Sequence, residues 1–122
     1  MRVVLIALLM LAPIPACAEW LKVGGNKSVV YYIDPATILR EGNLRRVSTL
    51  TDLKSPGMDG ELSRQSLDEY NCNTRRRRIL SFSSYSGPMG AGNVLVRSNV
   101  TEEWNYLQPG TAGEIKFKSV CR

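Results

Sequence analysis

Past residue 18 the apolar and polar positions follow mostly the pattern of β-strands. In 43–53 (NLRRVSTLTDL), Val47, Thr49, Thr51 and Leu53 recur at period two, with Arg46, Ser48 and Asp52 on the other face. Residues 28–33 (SVVYYI) are β-branched and aromatic and stop at Asp34-Pro35, a turn dipeptide. Residues 20–23 read as a short strand before Gly24-Gly25-Asn26, and 35–39 as one turn of helix or a short extended piece. A loop at 55–60 (SPGMDG) precedes 61–72 and 75–85, which read as a hairpin across Asn73-Thr74. After a second loop at 87–92 (GPMGAG), residues 93–97 and 102–107 carry weaker strand signals.

The tail follows a different period. Residues 114–118 alternate as a strand would, yet Gly113, Phe117, Val120 and Cys121 share one face of a helix. Thr111 and Glu114 make a capping box directly after Pro109-Gly110: the threonine side chain accepts from the Glu114 amide while the glutamate reaches back. A helix from 111 to 121, pressed onto five or six antiparallel strands, gives an α+β domain.

The first 18 residues read as an address. Arg2 precedes the ten apolar residues 3–12, Pro13-Ile14-Pro15 breaks the run, and Ala16-Cys17-Ala18 is a small-x-small cleavage signal before Glu19. Ten apolar residues fall short of the roughly 20 that span a bilayer as a helix. Cleavage after Ala18 is the favoured export route, with the periplasm as destination. Lipidation of Cys17, giving an outer-membrane or surface lipoprotein, is the alternative, and Pro15 is awkward for it.

Removing 18 of the 122 residues leaves a single domain of 104, residues 19–122, able to bury about 65% of its unfolded surface. A hydrophobic fraction of 43% against 22% charged residues suits a globular chain. Two cysteines remain, Cys72 and Cys121, and an exported chain most simply pairs them. Closing a loop of about 50 residues contributes about 4 kcal/mol on chain-entropy arithmetic. Histidine is absent, which removes the usual general base, the commonest zinc ligand and every Ser-His-Asp or Cys-His arrangement. No short-range cysteine pair or calcium loop is present, so no metal or other cofactor is expected. Adjacent carboxylates at Asp68-Glu69 and Glu102-Glu103 point to opposite sides of a strand and make no acid/base dyad. The glycines of 87–92 lack the Gly-Lys-Ser/Thr ending of a phosphate cradle and read as a turn or bulge. These exclusions point to a non-enzymatic protein.

Several of these residues recur in one known order. Tyr31-Tyr32-Ile33-Asp34, Thr37-Ile38, the strand from Arg46 to Leu53, Ser66, Cys72, Gly90-x-Gly92, Trp104, Pro109 and Cys121 resemble the surface-adhesin protein E family of Gram-negative envelope proteins. The resemblance runs from Trp20 to Cys121. It implies an antiparallel sheet with a C-terminal helix tied to it by Cys72–Cys121, and a surface adhesin that binds host matrix and serum proteins such as laminin and vitronectin. The segment around Cys17 departs from the family's lipidation signal, and the chain after Cys121 is shorter than in the prototype.

The net charge of +5 concentrates in one place, Arg75, Arg76, Arg77 and Arg78. In a strand these alternate, two to each face. Guanidinium forks on one face match phosphate, sulfate or carboxylate oxyanions. The plainer expectation is an edge strand guarded by charge and paired locally with Asp68, Glu69 or Glu61. Trp20 and Trp104 are expected in the core or covering the sheet, with Trp104 half exposed at a protein interface as the alternative. The partners left open are an envelope or host extracellular-matrix protein, an acidic polysaccharide, and a second copy in a homodimer; the alternative to a binding module is a periplasmic structural or accessory protein with no host ligand. Nucleic acid is not expected for an exported chain.

Overall fold

A computed structural model describes residues 19–122. The expected signal segment, including Cys17, lies outside them. Eight strands form one antiparallel sheet: β1 (Leu21–Gly25), β2 (Val29–Ile33), β3 (Leu39–Glu41), β4 (Leu44–Leu53), β5 (Ser63–Asn71), β6 (Arg76–Tyr85), β7 (Val94–Ser98) and β8 (Asn105–Tyr106). Six follow the order β1-β2-β4-β5-β6-β7, and a single helix, α1 (Ala112–Val120), packs on one face. The α+β architecture expected from the sequence is the one observed.

The two ten-residue strands organise the sheet because each has two short neighbours on one side. Residues 49–53 of β4 pair with β2, and 44–46 with β3. Residues 82–85 of β6 pair with β7, and Arg76 and Arg77 with Tyr106 and Asn105 of β8. The arginine run is therefore flanked on both sides. The edge-strand expectation is overturned, because two residues of the otherwise irregular 99–111 segment close that edge. Expected strand 102–107 shrinks to those two residues, and the first half of 35–39 is a 3-10 turn capped by the Asp34 side chain.

Alternation along the strands sorts residues as the period-two pattern requires. Ile33, Val47 and Tyr70 face the helix and form the core with Phe117 and Val120. The capping box is in place: Thr111 Oγ1 accepts from the Glu114 amide, and Glu114 Oε1 accepts from the Gly110 amide. Two glycines let the helix come close. A methyl group on Gly24 of β1 would lie 2.8 Å from Ile115 Cγ2, and one on Gly113 only 3.1 Å from Arg77 Cζ. The Cys72–Cys121 disulfide joins the β5–β6 turn to the last helical turn, with the Cα atoms 5.5 Å apart. Neither tryptophan enters the core; both are half-buried, an outcome consistent with large amphipathic rings near the sheet margin.

Candidate binding surface

The arginine run divides at its first residue. Arg75 is not in the strand: it closes the β5–β6 turn with φ 56°, while the Asn71 side chain accepts from the Asn73 and Thr74 amides. Its guanidinium lies on the helix side, 3.4 Å from Glu114 and 5.0 Å from the centre of the Phe117 ring. Arg77 also points that way and fills the space left by Gly113 at the start of α1. Both are engaged by the helix and its cap.

Arg76 and Arg78 face the opposite, open side of the sheet. Arg76 Nη2 donates to the Tyr106 hydroxyl at 2.6 Å and its guanidinium stacks 4.5 Å above that ring. Arg78 donates through Nε and Nη2 to Glu69 Oε1, at 2.9 and 2.7 Å, and stacks 4.5 Å from Trp104. Arg46 of β4 donates to the second Glu69 oxygen at 3.1 Å. Glu69 is only 3% exposed, so one buried carboxylate orients two guanidiniums. Of the three acids expected to pair with the run, only Glu69 does so. Asp68 turns to the helix side, and Glu61 caps its own loop by accepting from the Asp59 amide.

The result is an ordered array of Arg46, Arg76, Arg78, Trp104 and Tyr106, the last 65% exposed. Each stacking contact contributes about 0.5–1 kcal/mol at such a site, and together they hold the guanidiniums in place with donors left over. Outside the arginine run, Trp104 is the one member of this array with a sequence expectation of its own; Tyr106 carries no sequence signal, and Arg46 only its place on the polar face of the β4 pattern.

A second cluster, also unmarked in the sequence, lies under the helix. Lys116 is buried, with Nζ 3.1 Å from Thr49 Oγ1 and 3.8 Å from Asp68 Oδ2. Asp68 also accepts from Ser66 at 2.7 Å and from the Tyr70 hydroxyl at 3.0 Å. Burial holds the Lys116 ammonium below its ordinary pKa despite Asp68, with Arg77 and Arg64 adding to the shift. Burial, reinforced by Asp68, pushes the Tyr70 phenol well above its usual range. All its polar groups are satisfied within the fold, so it is a structural network.

The family model of surface-adhesin protein E matches residues 20–122. The chain belongs to the surface-adhesin protein E family. Its fold is shared with a crystal structure of Haemophilus influenzae protein E, with a TM-score of 0.62 at 16% identity over 89% of this chain and 88% of that one. A second crystal form matches at 0.58 and 16% identity over 75% and 79% of the two chains. Protein E from non-typeable Haemophilus influenzae matches at 0.54 and 16% over 89% and 79%. At this identity the likeness establishes the fold alone. No curated protein sequence matches the chain significantly.

Proposed function

We propose that this member of the family is a non-enzymatic, exported envelope protein that binds its partner through the open face of the sheet around Arg46, Arg76, Arg78, Trp104 and Tyr106. A surface-adhesin family implies export to the envelope and a host protein as ligand; residues 1–18 supply the export signal in this reading. The observation that carries the surface assignment is the fixing of Arg46 and Arg78 by the single buried carboxylate of Glu69. Arginine and large aromatics are the residue types that dominate binding energy at protein interfaces. The same forks match the oxyanions of an acidic polymer.

Replacing Arg76 and Arg78 together with alanine should weaken binding to immobilised heparin or matrix protein at least tenfold. The Arg75, Arg77 pair should lower thermal stability and leave affinity within about twofold, because these two face the helix. Equal losses from both pairs, measured on folded protein, contradict the open-face assignment.

A further inference from the structure

Beside the arginine array the open face sinks into a depression of about 270 Å³ bordered by Ser48, Gln65, Leu67, Ser81, Ser83 and Tyr85. Strand register explains why these six meet. Ser48 lies opposite Leu67, which lies opposite Ser81; Gln65 lies opposite Ser83, one step further along the same face. Small hydroxyl side chains on β4 and β6 leave the hollow, and the loop after β6 walls its far end. There the Met89 amide donates to Asp52 and the Gly90 amide to Ser63 Oγ.

Three features give this hollow a chemistry. Its lining is mostly hydroxyl and amide groups, with Leu67, Phe82 and the Tyr85 ring as the apolar part. Of the serine side chains there, Ser66 is engaged within the fold, donating to Asp68, and Ser83 accepts from Arg97 Nε at 3.4 Å. The half-buried side chains of Ser48, Gln65, Ser81 and Tyr85 make no hydrogen bond within the described residues and stand as mixed donors and acceptors. Guanidiniums stand at three positions on the rim: Arg46 precedes Ser48 by one same-face step on β4, Arg78 lies across the β6 bulge from Ser81, and Arg97 flanks Ser83. The volume is near the small end of ligand sites.

We infer that this serine groove takes a segment of an anionic polysaccharide of the glycosaminoglycan type, its hydroxyls hydrogen-bonded to Ser48, Gln65 and Ser81 and its sulfate or carboxylate groups on Arg46, Arg78 and Arg97. This rests on the open-face reading above and gives that face a ligand class. The groove's lining is more polar than the buried core of a protein interface. A lipopolysaccharide would bring acyl chains, which this mostly polar lining does not match. Charge complementarity and hydroxyl pairing both favour a free, charged sugar chain.

The test uses the exported protein with a heparin-derived tetrasaccharide, titrated over a series of salt concentrations. Ser48→Val with Ser81→Val puts β-branched residues, which suit a strand, in place of two groove hydroxyls and touches no hydrogen bond of a rim arginine. This pair should lower affinity about tenfold, the loss of two modest hydrogen bonds, with the salt dependence unchanged. Gln65→Leu, across the groove, should act the same way by a smaller factor. Arg46→Ala with Arg78→Ala should lower affinity further and flatten the salt dependence, since fewer ionic contacts remain. Wild-type affinity in both groove variants, with loss only in the arginine variant, overturns the groove and leaves the open-face reading standing. Unchanged affinity in all three overturns both. Binding of intact lipopolysaccharide without binding of its delipidated sugar also overturns the inference.

Discussion

Lys116 shows how one side chain can be indispensable and still invisible in a sequence. It lies three residues after Gly113 and four before Val120, on the helix's inward face, yet a lone lysine in such a pattern is ordinarily read as a solvated residue. Its burial becomes evident only when β4 and β5 bring Thr49 and Asp68 to meet it. Replacing it by methionine removes the cation and leaves Asp68 buried against neutral partners, at a cost of about 3 kcal/mol. Adding Asp68→Asn should restore most of that loss, and denaturant unfolding of the single and double variants measures both. The pH dependence has a definite sign. Because burial holds the folded-state pKa of Lys116 below 10.5, the unfolded chain binds this proton more tightly. Stability gains with rising pH between the folded-state value and 10.5. Tyr70 works the other way, its raised phenol pKa removing stability above pH 10. The wild type should therefore gain on Lys116→Met as pH approaches 10; a constant difference between the two would show that Lys116 does not titrate differently on unfolding.

At the scale of elements, α1 has nine residues, below the length at which an isolated helix is stable in water. Its existence was readable from the capping box and the apolar spacing; its hold on the sheet comes from Phe117, Val120 and the disulfide. The strands were legible where period two ran for several residues, as in β4. Strands of two or three residues, β3 and β8, carry too few positions to show a period and form because a longer neighbour offers free backbone groups. That limit also hid the true setting of the arginine run, since β8 makes β6 an interior strand there. The helix should loosen first when its covalent tie is removed. Cys72→Ser with Cys121→Ser is expected to cost about 4 kcal/mol and to speed amide exchange in 112–120 before that of β4 and β5. Equal acceleration throughout would mean that helix and sheet unfold together even without the tie.

On the scale of the whole molecule, the fold constrains how the chain is held in the envelope. Trp20 is half-buried and lines a hollow with Leu21, Asp34, Pro35 and Ala36, and β1 begins at Leu21. Cleavage after Ala18 would leave every described strand intact. A lipid on Cys17 would instead leave only Ala18 and Glu19 free between the anchor and the packed Trp20, a reach of about 7 Å. That would hold β1 against the membrane and restrict the approach of a large partner to the open face. We propose cleavage after Ala18, as the small-x-small pattern favours, and intact mass of protein purified from the envelope decides it. A chain beginning at Glu19 with one disulfide is expected. A mass carrying a diacylglyceryl group at Cys17 would refute a free N-terminus and place the binding face within a short tether of the lipid surface.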